Sequence, residues 1–428
     1  MDLLIENPLL ESFTTPHQTF PFDKIKQEHF LPALEEAIAQ GKKDIDAIIN
    51  NIAEPDFENT VVALDNAGAL VDKVSAVMFN LNSAETNDEL QKIVKEASPP
   101  LSDYSNDIRL NEILFQRIKK VFENRQSLNL DAESNTLLEK TYKGFSRNGA
   151  NLNETDKAKL REIDKKLSEL SLIFGEHILH ETNTWLMEIT DEKDLAGLPD
   201  FVCEAAKITA QEKNKSGWVF TLQTPSYLPF VTYAENRELR KKIAVAFNAR
   251  AFHGDENDNQ AIVKDLVKLR HERAKLLGYA SHAHFVLEER MAGSPEKVID
   301  FLEEMYNYAK PVAEKQMQEL LEYAKRQGFT DEKLQRWDYA FYCEKLKKEK
   351  YAIDDEMLKP YFKLENVIEG VFTVADKLFG LHFRENKLIP VYHQEVTAYD
   401  VLDEKGNFVA VFYADFFPRT GKRNGAWM

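Results

Sequence analysis

The chain has 428 residues, 43% of them hydrophobic, and its 72 acidic residues outnumber 55 basic ones to give a net charge of −17. At roughly 100 to 200 residues per domain, that length calls for two to four structural units with enough apolar material to fill them. The charge repels polyanions and so excludes nucleic acid and anionic membrane surfaces as partners, while two isolated cysteines, Cys203 and Cys343, exclude a disulfide framework or thiolate metal site and fit a reducing compartment.

The chain opens with "MDLLIENPLLESF", acidic where a signal peptide needs positive charge. No apolar run of about 18 residues follows that could span a bilayer, so the expectation is a soluble cytoplasmic protein. From Asp23 to about Glu181 the pattern is helical, in segments broken by Pro and Gly. In "FLPALEEAIAQGKKDIDAIINNI" and "PDFENTVVALDNAGALVDKVSAVMFNL" apolar residues recur at three- and four-residue spacing, which gives each helix one buried stripe. "LNETDKAKLREIDKKLSELSLIFGEHILHE" reads as a long amphipathic helix with Asn153 or Thr155 as its cap.

Between Thr184 and Ala234 the period changes. "TWLMEIT" and "WVFTLQ" read as strands around a short helix near Asp200 to Gln211, and "PSYLPFVTY" is expected to stay extended because of Pro225 and Pro229. Helices resume with "NRELRKKIAVAFNARAF" and "NDNQAIVKDLVKLRHERAKLLGY", the latter closed by Gly278 at a C-cap position. A clean stripe from Leu364 through Val367, Val371 and Leu378 to Phe379 ends at Gly380. Val391 to Tyr413 reads as a hairpin, with "FVAVFY" following the turn "DEKG". The expected fold is mainly α: a multi-helix array with small β elements near residues 184–234 and 391–413. A boundary near residue 190 separates a helical domain, 1–190, from a second unit, 191–428.

Catalytic motifs are missing from this pattern. The helical His-Glu-x-x-His motif places two imidazoles on one face to hold zinc, but "HERAK" puts Lys275 at the position of the second histidine, and an ammonium cannot ligate a metal. It reads as an exposed helix face with Glu272 and Arg273 as a charge pair. "HILHE" at His177 to Glu181 fits neither the motif nor its inverse, and His282 and His284 are two residues apart, on different faces. There is no Gly-x-Ser-x-Gly, no Gly-x-Gly-x-x-Gly and no phosphate-binding loop. Asp354 and Asp355 read as a solvated helix face, and Cys343 as a buried thiol in the aromatic helix "WDYAFYCEKLKKEKY".

Longer stretches are more specific. "RWDYAFYCEKLKKEKYAIDDEMLKPYFKLENVIEGVFTVADKLFGLHF", "PVYHQEVTAYDVLDEKGNFVAVFYADFFPRTGKRNGAWM" and, earlier, "NPLL", "FDKIKQEHFLPAL", "PDFENTVVALD" and "TNDELQ" resemble, in order and over nearly the whole chain, the thimet oligopeptidase (peptidase M3) family of zinc metallopeptidases, and in particular its peptidyl-dipeptidase branch. The resemblance implies a nearly all-helical ellipsoid split by a channel that admits short unstructured peptides. It also implies release of dipeptides from peptide C-termini, and catalysis by zinc held on a helix bearing His-Glu-Phe-Gly-His with a further glutamate. In that chemistry zinc polarises the scissile carbonyl and lowers the pKa of its water toward about 7, and the motif glutamate takes the proton.

That motif does not occur in these 428 residues. The expectation is an amino-terminal portion ending before the zinc helix, with no zinc bound and no activity alone. No catalytic or metal residue carries over. The candidate substrate-channel wall is the strand Phe408 to Tyr413 with Arg419, Lys422, Gly425, Ala426 and Trp427. Against that role, Arg419, Lys422 and Arg423 read as a solvated loop and Trp427 as a core anchor. Short oligopeptides are the expected ligands. The parent enzyme is expected to be monomeric, and the portion itself prone to self-association through uncovered apolar surface. A helical peptide- or protein-binding module without catalysis is the alternative.

Overall fold

The computed structural model describes residues 7–353 and 355–423. As expected, it is mainly α, with two small antiparallel sheets. The first half is helical: α1 (Phe30–Ile49), a π-helical turn at Phe57–Val62 running into α2 (Ala63–Asn66), α3 (Ala69–Ala84), α4 (Asp88–Arg109), α5 (Glu112–Glu123), α6 (Ala132–Arg147) and α7 (Glu154–Thr184). The predicted stripes are buried. Phe30, Leu34 and Ala37 of α1 meet Val74 and Met78 of α3 and Val94 of α4 in one core, and Leu114, Phe115 and Ile118 of α5 form a second with Ile45 and Phe145. Of the two candidate caps for α7, Asn153 is the one used: its side chain accepts from the Asp156 N–H at 2.9 Å.

Proline and glycine break these helices less than the sequence implies. Pro99 and Pro100 lie inside α4, and Gly41 lies inside α1. At Gly41 a Cβ atom would stand 2.3 Å from the Tyr104 hydroxyl of α4. The bare backbone is what lets the two helices approach there, and the packing gained offsets glycine's weak helix propensity.

Strands β1 (Leu186–Ile189) and β2 (Trp218–Thr221) pair antiparallel, Leu186 opposite Thr221, and flank α8 (Asp200–Glu212) as expected. "PSYLPFVTY" is not extended. It forms α9 (Thr224–Tyr233), in which Pro225 sits in the first turn, where no backbone donor is needed. Pro229 lies further in, but Phe230 is fully buried against Phe220, ring centroids 4.6 Å apart, and this packing outweighs the one hydrogen bond that Pro229 removes.

Next come α10 (Arg237–Asn248), α11 (Gln260–Leu276), α12 (His282–Leu287), α13 (Pro295–Arg326), α14 (Arg336–Tyr351), α15 (Asp355–Leu358) and α16 (Leu364–Phe379). An ion-pair network fastens α10 to α14. Arg237 donates to Asp338 through two bonds of 2.9 and 2.8 Å, and the buried Arg240 donates to the Trp337 and Ala234 carbonyls and to Asp338. The predicted hairpin is present as β4 (Thr397–Leu402) and β5 (Phe408–Ala414), and a third strand, β3 (His382–Glu385), which the sequence pattern did not reveal, pairs with β4. Val401 faces Ala410 and Leu402 faces Phe408, so Val409 is the extra residue of a β-bulge.

Candidate functional site

The candidate wall is β5 and the loop that leaves it. β5 is an edge strand: among the described residues nothing pairs with its outer side, and Phe408, Val409 and Phe412 are exposed side chains of this strand. Such an edge offers unpaired backbone groups that can accept an extended peptide as a further strand. At its start the His17 ring stacks on Phe408 at 3.7 Å, and His17 Nε2 lies 3.1 Å from the buried Asp400 of β4, tying the amino-terminal segment to this sheet. Asp400 also accepts from Asn386 and Arg384, and these bonds, that of Asn386 first, hold its carboxyl below the usual range despite burial.

The loop after β5 is organised by Asp415. Arg419 donates to both its carboxylate oxygens at 2.8 Å, Lys422 Nζ donates to one of them at 2.9 Å and to the Asp415 carbonyl at 2.7 Å, and the Tyr392 hydroxyl donates at 3.0 Å. Burial alone would raise the Asp415 pKa, but the hydrogen bonds from Arg419, Lys422 and Tyr392 outweigh it and bring it down to about 2. The same burial and the neighbouring carboxylate push Tyr392 well up.

This loop is clamped to the amino-terminal helices. Arg419 reaches Glu85 and the Ala84 carbonyl at the end of α3, the Thr86 N–H donates to the Gly421 carbonyl at 2.7 Å, and the Arg423 N–H donates to Ser83. Asn183 of α7 donates to the Thr420 carbonyl at 2.9 Å. At Gly421 a Cβ would lie 2.4 Å from the Thr86 carbonyl oxygen, so only glycine fits. A hollow of about 830 Å³ opens beside this seam, lined by Lys26, Glu28, Glu85, Asn87, Thr420 and Gly421 among others.

The reading of Arg419, Lys422 and Arg423 as a solvated loop is therefore corrected. The side chains of Arg419 and Lys422 are 11% and 12% exposed. Arg423 packs over Gly175 of α7 with its Nε and Nη2 buried and without a partner among the described residues, and burial, opposed by Glu176, lowers its pKa. The charges of Arg419 and Lys422 are spent on holding the loop. Gly425, Ala426 and Trp427 lie outside the described residues. The sequence pointed to Arg419 through its family context but not to its partners. Neither Asp415, four residues earlier, nor Glu85, 334 residues away, was singled out by the sequence.

Zinc, which the family implies, needs several nitrogen and oxygen donors around one point. Among the described residues no group of three or more His, Cys, Asp or Glu side chains could hold a metal ion. His177 is paired with Asn259 at 2.9 Å. Glu181 from the same stretch meets His253 at 2.6 Å and also accepts from the Ala251 N–H. His284 bonds to Ser281, the cap of α12. The described residues do not fit the metal. Among them, too, no helix is long and apolar enough to cross a membrane.

Comparison with known proteins shows what the chain is similar to. Residues 230–428 match Peptidase family M3. The chain is 38% identical to the dipeptidyl carboxypeptidase of Salmonella typhimurium over 99% of its own length, and 37% identical to that of Escherichia coli over the same share. It is also 34% identical to oligopeptidase A of Salmonella typhimurium, again over 99% of its length. By sequence the chain is similar to the M3 peptidases, the likeness that its motifs implied. It spans 62% of the length of each of these relatives.

Proposed function

We propose that this chain is the substrate-walling portion of a zinc oligopeptidase that hydrolyses short peptides and, as in the dipeptidyl branch, releases dipeptides from their C-termini. What carries the reading is the continuous identity of 37–38% with two dipeptidyl carboxypeptidases through 99% of the chain. In this reading residues 1–190 form a helical domain and residues 191–428 the start of the peptidase domain, in a cytoplasmic protein. β5 and the loop through Arg419, Lys422, Gly425, Ala426 and Trp427 line the peptide path. Arg419 and Lys422 act there by holding the loop through Asp415, and the open edge of β5 supplies backbone donors and acceptors to an extended peptide.

No His-Glu-x-x-His occurs in the 428 residues, so the chain by itself binds no stoichiometric zinc and cuts no peptide bond. Emission spectroscopy on the purified chain, run beside a peptidase assay with a short quenched peptide, tests this. The expected result is neither zinc nor cleavage. Chelator-sensitive hydrolysis by the chain alone overturns it.

A further inference from the structure

Two helices carry apolar stripes that the described residues leave wholly or partly uncovered. On α16, Leu364, Val367, Val371, Val374 and Leu378 alternate at three- and four-residue spacing, the seam along which two helices interlock. The helix already uses a different face for its own sheet, where Phe372 stacks on Phe383 at 4.1 Å. At 100° per residue the seam is turned by about 120° from that face. Val367, Val371, Val374 and Leu378 are 41%, 58%, 55% and 67% exposed.

α13 repeats the situation along its length. Leu320, Tyr323 and Ala324 near its end are buried under α14, while Ile299, Leu302, Met305 and Tyr306 on the same side, near its start, are more than half exposed. One stripe that is core at one end and bare at the other is an interface lacking its partner. The bare surface is also localised. Among the described residues only Leu10, Ile52, Ile113 and Phe174 are exposed large apolar side chains before residue 190, whereas α13 and α16 both lie in the stretch that matches family M3.

We propose that the α16 seam and the bare half of the α13 stripe are the docking surface for amphipathic helices of the part of an M3 peptidase that this chain does not span. The inference rests on the family reading above. The relatives carry a remaining 38% of their length outside the aligned part, which supplies the occupant. The seam specifies its chemistry. Lys363, at the helix cap, and Lys377 flank it on one side two heptads apart, with Gly370 at the heptad position between them, so the occupant presents a leucine- or valine-type seam edged by acidic residues, and Gly370 lets it come close.

The test mixes the full 428-residue chain with the polypeptide comprising the unaligned part of the Salmonella relative. Association, hydrogen exchange and peptide hydrolysis are then read separately. Association is expected, with slowed exchange over 299–312 and 364–378. A Val371→Glu, Val374→Glu double variant is expected to weaken it about tenfold or more while leaving the thermal melt of the chain unchanged, because both side chains face solvent. No association, association indifferent to the double variant, or protection of these helices by a second copy of the chain overturns the proposal. Hydrolysis with α13 and α16 unprotected also overturns it but leaves the peptidase reading standing. Protected helices without hydrolysis overturn the peptidase reading and leave the docking surface standing.

Discussion

Arg419 and Asp415 are joined by two hydrogen bonds of 2.8 Å, and the same guanidinium reaches back to Glu85 at the end of α3. A bidentate, charge-assisted pair with little solvent access is a strong contact, and here it fixes the loop leaving β5 against helices from the other end of the chain. The loop's position therefore depends on one carboxylate staying ionised.

A pH dependence follows, and its sign is set by the direction of the shift. The Asp415 carboxyl ordinarily titrates near 3.8 and is held at about 2 in the fold. The stabilisation it contributes is fully present above 3.8 and is lost as pH falls from there through about 2. Hydrogen exchange at the amides of Thr86 and Arg423, measured at pH 5 and near pH 2, is expected to accelerate over that window beyond the intrinsic pH effect. In an Asp415→Asn variant the loop is expected to be loosened already at pH 5 and to lack this acid transition. An Asn variant that matches the parent at pH 5 would remove Asp415 from this role.

The buried network between α10 and α14 makes a larger prediction. Asp338 is fully buried and answers two guanidinium groups, one of them the buried Arg240. Asp338→Ala leaves Arg240 in the interior with no countercharge, which costs about 3 to 5 kcal/mol. Urea unfolding should show a loss of that size. A loss below about 1 kcal/mol would mean that water or a shifted side chain replaces the carboxylate.

The thiols offer a check on packing. Cys203 and Cys343 are each raised above their ordinary pKa, burial being the main cause. Both are therefore expected to react with a thiol reagent at pH 8 more slowly than a free cysteine, and to react at the free rate once the chain is unfolded.

These sites differ in how readily the sequence discloses them. The stripes of α1, α3 and α16, the Asn153 cap and the turn at Asp403 to Gly406 are local patterns, and each has its counterpart in the fold. What escaped was decided by distant contacts. "PSYLPFVTY" is a helix because Phe230 packs on Phe220, and β3 is a strand because β4 pairs with it, although four residues are too few to carry an alternation signal. The family could be read from long motifs, but the grip on the candidate wall could not. It runs from Arg419 to Glu85 and from Gly421 to Thr86, between residues that nothing in the linear order connects.

The Gly421 contact gives the sharpest structural test of that grip. The Thr86 N–H donates to the Gly421 carbonyl at 2.7 Å, and an added Cβ would sit 2.4 Å from the Thr86 carbonyl oxygen, a backbone atom that cannot rotate aside. Gly421→Ala must therefore push the loop away from α3, at a cost of about 1 to 3 kcal/mol. The loop carries few core side chains, so the expected response is local opening before global unfolding. Exchange should quicken at Thr86 and Arg423, whose amides bond across the seam, while the amides of α1 keep their protection. If Thr86 and Arg423 exchange as in the parent chain, the close approach of the loop to α3 is not what holds it.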